Sequence, residues 1–255
     1  MKRIAPYLFL LCALVVAPYV NAATWTFRQG VRLTTCASSS NTCTLTISGT
    51  VGGAGDVVAI FLACQGANST CAISSATLGA ANATLVASSG CQTSASSAGS
   101  IDCAYFIAPA ASQTSIVFTN AISPTSGWYV GAVECSTSGT ASFDKAGALA
   151  TTSNVTNPLG PTLTLSGTND CIVQSIRPQV AASAIGGGYT DAYSSFVVTL
   201  SGAYLLNTNS GTGPTWTTGS GHASADGIAF SDGGGSVSGS TWGGPQIQGG
   251  PSKAQ

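Results

Sequence analysis

Beyond residue 22, eight of the nine cysteines limit what this chain can fold into: Cys36, Cys43, Cys64, Cys71, Cys91, Cys103, Cys135 and Cys171. The number is even and no Cys-x-x-Cys spacing occurs. His222 is the only histidine, so the sulfur and imidazole ligands of a structural zinc site are missing. In an exported chain such a set reads as four disulfides. Eight cysteines admit on the order of 100 pairings. Their spacing favours the sequential one: 36–43, 64–71, 91–103 and 135–171. In the chain-entropy account the three short loops contribute about 2.5–3 kcal/mol each and the long one about 4 kcal/mol.

The export reading comes from the first residues. Lys2 and Arg3 precede an apolar run from Ile4 to Val20, and Val20-Asn21-Ala22 places small residues at the −3 and −1 positions of a cleavage site. This is the layout of a secretory signal over 1–22, with Ala23 as the first mature residue. Cys12 lies inside the signal, and Leu11 is too bulky for a lipobox. No later stretch is apolar enough to span a bilayer by a helix. The expected localisation is secreted, extracellular or cell surface, with no membrane span after cleavage.

The strand signals are strong and the helix signals weak. Alternation of apolar and polar residues marks 24–35, 42–48, 101–108, 113–119, 162–166 and 222–230 as strands. Asp56–Cys64 (DVVAIFLAC) is apolar on both faces, as in a central strand. Cys171–Val180 is a further strand, with Pro178 marking an edge or bend. Tyr193–Leu200 and Ala203–Asn207 read as a hairpin turning at Ser201-Gly202. Gly127–Ser136 (GWYVGAVECS) combines two aromatics, the only glutamate, Glu134, and a cysteine, Cys135, with no near neighbour. It reads as a core strand, and a Cys135–Cys171 bond would tie it to the second half of the chain. Short strands between Gly-, Ser- and Thr-rich turns predict an all-β, disulfide-stapled β-sandwich of jelly-roll type over 23–230. Residues 231–255 read as a Gly/Ser-rich flexible tail in which Trp242 stands alone.

The halves echo one another. Thr46-Ile-Ser-Gly-Thr leads to Gly55-Asp56-Val-Val, and Thr164-Leu-Ser-Gly-Thr leads to Asn169-Asp170-Cys-Ile. Trp128–Cys135 and Ala223–Phe230 then occupy corresponding places. An internal duplication would explain the echo. So would chance, because Ser-Gly-Thr turns are common in such a chain.

Chemistry is sparse. Beyond residue 22 there are five basic and eight acidic side chains. A chain so poor in Lys and Arg lacks the phosphate-binding charge of a nucleic-acid partner. No Gly-x-Ser-x-Gly elbow is present. A glycoside hydrolase needs two facing carboxyl groups, and Glu134 has no neighbouring acid in sequence. The aspartates at 56, 170 and 191 adjoin Gly, Asn or Thr in turn-like contexts, and no Asp-x-Asp-x-Asp calcium loop occurs. No catalytic residue, cofactor or metal ligand is assigned. His222 reads as a solvent-facing strand residue. Asn68, Asn82 and Asn154 head glycosylation sequons, which matter only in a glycosylating source. Tyr189, Tyr193 and Trp216 lie in Gly- and Pro-containing segments and are expected at the surface, where they would form a glycan-binding platform. Trp25 and Trp128, on alternating strands, are expected in the core.

The order of Gly55-Asp56 before an apolar strand, Glu134-Cys135-Ser136 closing a later one, then Asn169-Asp170 and Ala225–Phe230 in a second cycle resembles a group of uncharacterised secreted bacterial β-sandwich proteins. The resemblance spans roughly 45–230. That group often has Tyr after the Glu, where this chain has Cys135, and it is not usually rich in cysteine. The resemblance implies a jelly-roll-like sandwich and no catalytic role. The expectation is a non-enzymatic structural or adhesive cell-surface protein that assembles into homo-oligomers or filaments through sheet edges, with Ala23–Thr35 adding to a neighbour's sheet. The alternatives are a carbohydrate-binding module and, more remotely, a glycoside hydrolase.

Overall fold

The stretch DVVAIFLAC needs apolar cover on both faces, and the architecture supplies it. The computed structural model describes residues 23–38, 40–65, 71–93, 98–122 and 127–233. The signal, most of the tail with Trp242, and Asn68 lie outside them. The described strands are β1 (Trp25–Cys36), β2 (Thr42–Thr46), β3 (Asp56–Cys64), β4 (Ile73–Leu78), β5 (Ala81–Asn82), β6 (Thr84–Leu85), β7 (Ser100–Ile107), β8 (Ser115–Asn120) and β9 (Trp128–Thr137) in the first half. The second half contributes β10 (Ser142–Val155), β11 (Asp170–Pro178), β12 (Ala182–Ile185), β13 (Thr190–Asp191), β14 (Ser201–Thr208), β15 (Trp216–Thr218) and β16 (Gly221–Ser231). A single helical turn, Ser88–Cys91, is the one helical element among the described residues.

The protein is all-β, as the sequence leads one to expect, but the strands form four stacked layers. A sheet of order β1-β9-β3-β7-β6 and a sheet of order β10-β16-β11-β14-β13 lie at the centre. Between them Phe61, Ile101, Val133 and Cys135 pack against Val173, Leu200, Ile228 and Phe230. The far face of the first sheet (Ile60, Leu62, Trp128, Val130) is covered by β2-β8-β4-β5 through Leu45, Leu78, Ile116 and Phe118. The far face of the second (Ile172, Ile176, Ala225) is covered by β12 and β15 through Ala182 and Trp216. Every residue of β3, β9 and β11 is therefore buried.

The two halves repeat one plan. In both central sheets the neighbours follow the same order, so β1, β9, β3, β7 and β6 correspond to β10, β16, β11, β14 and β13. The registers agree residue by residue. Asp56 faces Ser136 as Asp170 faces Ser231, and Phe27 faces Cys135 as Phe143 faces Phe230. A bulge follows Phe27 in β1 and Phe143 in β10. The outer layer repeats too: β2 pairs with β8, and Leu159 bridges Thr215 beside β15. Across the centre Phe27 stacks on Tyr204 at 4.2 Å between centroids, and Phe143 stacks on Tyr105 at 4.9 Å. These two contacts exchange under the correspondence, so the halves meet about a pseudo-two-fold axis. The echo seen in the sequence is a structural repeat.

All four sequential cysteine pairs are formed. Their Cα atoms are 5.7 Å apart for 36–43 and 64–71, 5.5 Å for 91–103 and 7.0 Å for 135–171. Cys135–Cys171 joins the two central sheets through their shared core.

Several local expectations change. Tyr193–Leu200 forms no strand, so the expected hairpin is absent: β14 pairs instead with β11 and with the two residues of β13. Residues 162–166 form no strand, although Leu163 N donates to Gly211 O at 2.8 Å. Pro178 ends β11, a strand with neighbours on both sides. The strands β4, β10 and β12 carry too much Ala, Ser and Gly to signal themselves, and tertiary pairing overrides that weak propensity. The segment from Ala23 belongs to its own chain. β1 pairs with β9, Trp25 N donates to Asn207 Oδ1 (2.7 Å), Asn207 Nδ2 donates to Trp25 O (3.1 Å), and Trp25 Nε1 donates to Asn169 O (3.0 Å). Donation of this segment to a neighbour's sheet would strip out a buried tryptophan, so that version of assembly is withdrawn.

Tyr193 locks the two halves because glycines make room for it. A Cβ on Gly131 would strike Tyr193 Oη, and one on Gly202 would strike the ring itself. Gly131→Ala is expected to cost about 1–3 kcal/mol in chemical denaturation. Adding Tyr193→Phe should recover part of that loss. It should not rescue Gly202→Ala, where the ring remains in the way.

Candidate functional site

The aromatic platform expected from the sequence does not exist. Trp216 is 0 % exposed, Tyr189 6 % and Tyr193 8 %. Trp216 fills the core of the outer layer, edge-on to Phe196 at 6.5 Å. Tyr189 donates to Thr212 O at 3.1 Å. Tyr193 lies within hydrogen-bond distance of Ser175 Oγ (3.3 Å), and the Arg32 guanidinium sits 5.5 Å from its ring centre. Burial raises the hydroxyl pKa of both tyrosines. Glycine-rich surroundings suggested exposed loops, but here the glycines are the space into which the rings fit. With these residues in the interior, a glycan has no stacking surface from them.

Glu134 is buried beside a crevice too narrow to admit a water molecule, lined by Gln29, Thr50 and apolar side chains. Alternation along β9 puts it on the face of Trp128 and Val130, opposite Cys135. Gln29 Nε2 donates to Oε2 at 2.6 Å and Val51 N donates to Oε1 at 2.9 Å. Gln29 sits at the β1 bulge, and its Oε1 accepts from Ser48 N at 3.1 Å. The glutamate thus fastens the bulge to the loop after β2. No second acid lines this crevice, so the paired carboxyl groups of a glycosidase are not assembled there.

Four aspartates carry the unusual electrostatics. Asp226 points into the core between the central sheets, fully buried, with no hydrogen-bond partner for either oxygen. Burial, then the nearby Asp102, hold its pKa well above the usual range. Asp102 is raised to about 6 by burial, although Ile73 N (2.7 Å) and Cys103 N (2.9 Å) donate to it. Asp170 is raised to about 7 by burial, by the hydrogen bond that its protonated carboxyl donates to Asp144, and by the charges of Asp144 and Asp232. Asp144 is partly buried, which opposes its charge, yet it is lowered because Ser166, the Asp170 carboxyl and Gly167 N hydrogen-bond its carboxylate. His222 is half-buried near the start of β16, and three strand residues separate it from Asp226 on the same face, too far for a pair. Among the described residues, one group of three potential metal ligands has its atoms within 4.8 Å of one another: Cys91, Cys103 and Asp226. Its two sulfurs are bonded together. No local spacing marks these clusters, because their members are far apart in the chain.

The other feature of note is an edge. β10 closes one side of its sheet, pairing with β16 alone, and it is the longest strand at 14 residues. From Ala146 to Val155 it carries no charge and no proline. Leu149 on it is 39 % exposed. On the opposite edge strand, β1, Arg32 donates to Ser195 O (2.7 Å) and Leu200 O (2.9 Å), drawing the loop after β13 over it, while the helical turn Ser88–Cys91 packs beside β10. Among the described residues no helix is long and apolar enough to cross a membrane.

Raised carboxyl pKa values fix the sign of the pH dependence. The folded state holds protons on Asp102 and Asp226 that an unfolded chain releases near pH 4, so this contribution is complete below about pH 4 and fades as pH rises through about 6 and beyond. The thermal midpoint is therefore expected to be higher at about pH 5 than at about pH 8. Asp226→Asn should flatten the fall above pH 6, and a midpoint that rises toward pH 8 would contradict this assignment. No family model matches the chain, and no curated protein matches it.

Proposed function

We propose that this is a secreted, non-catalytic structural protein of the cell surface, and that copies of it associate through the edge strand β10. The observation that carries the reading is β10 itself: 14 residues long, hydrogen-bonded on one side only, and uncharged over its last ten residues. A long, uncharged edge is a template for another strand. Monomeric β proteins usually guard such an edge with charge, proline or a covering segment, as β1 is guarded here by Arg32 and the loop it holds. The chain as a whole opposes association weakly, with 6 % charged residues and a formal net charge of −1. Four disulfides suit an oxidising, extracellular setting.

Antiparallel pairing of β10 with β10 of a second copy would extend the central sheet from five strands to ten across the dimer. Sedimentation velocity of the wild type at micromolar concentrations should then reveal dimers or larger species. Leu149→Lys combined with Thr151→Lys should shift the population to monomer while leaving the thermal midpoint within a few degrees. A wild type that stays monomeric throughout would refute the proposal, as would association that survives both lysines.

A further inference from the structure

Tyr193 and Cys91 hold equivalent places on the two sides of the pseudo-two-fold axis. Phe61 is the register partner of Cys103 on one side and of Gly131 on the other. Its counterpart Ser175 is the partner of Gly202 and of Asp226. Cys103 therefore corresponds to Gly202, and Asp226 to Gly131. One of the two places is filled by the Tyr193 ring, for which Gly131 and Gly202 leave room. The other is filled by Cys91, bonded to Cys103 and set against Asp226. A ring on two glycines at one place is matched by a disulfide and a carboxyl group at the other.

The fold does not require this carboxyl, since the equivalent position is a glycine. Nor does the surrounding core satisfy it. Asp226 is fully buried and neither of its oxygens has a hydrogen-bond partner. Its register partners Ala148 and Ser175 carry no charge, and Asp102, which acts on it electrostatically, is itself an acid. Asp102 shows the usual solution at such depth, collecting the N–H groups of Ile73 and Cys103. What Asp226 has beside it is sulfur. One of its oxygens and the sulfurs of Cys91 and Cys103 lie within 4.8 Å of one another, and among the described residues no other disulfide has an acid so placed. A buried polar group left unpaired calls for a second state in which it is paired.

We infer that Cys91–Cys103 is a redox-active disulfide that exchanges with dithiols, and that Asp226 is the hydrogen-bond acceptor of its reduced form. In the bonded form the sulfurs carry no hydrogen and offer Asp226 no donor. Reduction by a dithiol breaks the S–S bond. The dithiol gives up two electrons and two protons and closes into its own disulfide, while Cys91 and Cys103 each gain one hydrogen. The two S–H groups then stand beside the carboxyl oxygens and donate to them. Reduction thus satisfies a group that oxidation leaves unpaired, which shifts the exchange equilibrium toward the thiols. Disulfides shifted in this direction are the labile and regulatory ones. Both sulfurs are buried, so exchange requires the turn Ser88–Cys91 to lift, and the equilibrium rather than the rate reads the effect of Asp226.

The test equilibrates the full mature protein in mixtures of reduced and oxidised dithiothreitol at about pH 7, alkylates the free thiols and quantifies each cysteine pair by peptide mass spectrometry. Cys91–Cys103 is expected to open at a lower ratio of dithiol to disulfide than the other three pairs. Asp226→Ala removes the acceptor and should raise the ratio needed to open Cys91–Cys103 about tenfold, with Cys36–Cys43 unchanged as the internal reference. Asp226→Asn keeps an oxygen acceptor and should stay close to the wild type. If Asp226→Ala fails to fold, the order of opening in the wild type still decides. The inference is overturned if Cys91–Cys103 opens no more readily than Cys36–Cys43, if Asp226→Ala titrates as the wild type does, or if Asp226→Asn shifts as far as Asp226→Ala.

Discussion

The structure depends on the contact between two five-stranded sheets that are each covered on their other side. A strand such as β3, apolar at eight successive positions after Asp56, has no solvent face to offer. In a two-layer sandwich one of its faces would stay wet, at roughly 1.5–3 kcal/mol for each large side chain left uncovered. Stacking four layers removes that cost for β3, β9 and β11 together. It also makes the centre of the molecule a joint between halves, filled by Phe61, Phe230, Ile101 and Ile228 and clamped by Cys135–Cys171.

Because the halves repeat one strand order, this joint has the character of an interface between two similar subunits. The two aromatic stacks, Phe27 on Tyr204 and Phe143 on Tyr105, are the same contact made twice. Departures from the repeat are then informative. Gly131 corresponds to Asp226, and Glu134 to Ala229. Each half places its unusual polar group where the other has a small residue, Asp226 toward the joint and Glu134 toward the outer layer. The disulfide follows the same logic: its counterpart is the apolar pair Phe230 and Val57, both in the shared core.

Much of this was legible in the sequence. The alternation of Ile101, Cys103, Tyr105 and Ile107 gave the correct inner face of β7, and the sequential cysteine pairing follows from spacing alone. The echo around Asp56 and Asp170 marked positions that the registers equate. The four layers were not seen, although DVVAIFLAC demanded them. Local composition misled elsewhere. Gly186, Gly187 and Gly188 suggested a loop around exposed tyrosines, whereas Gly131 and Gly202, distant in sequence, are sockets for a buried Tyr193. β10 went unnoticed because Ala, Gly and Thr say little about strand formation until a partner strand exists. The grouping of Asp144, Asp170 and Asp232 could not be read at all, since strand register, not sequence distance, assembles it.

Trp25 has a consequence for how the molecule comes into being. Its backbone and ring are bonded by Asn207 and Asn169, and the first of these lies 182 residues further along. A chain emerging N-terminus first would present its opening strand long before those acceptors and donors exist. β9 can pair with it earlier, but the buried tryptophan stays incomplete until the second half has formed its central sheet. Contacts of such long range make for slow closure. The beginning of the chain is thus among the last parts to be finished, and completion of the fold reports that the whole chain has arrived.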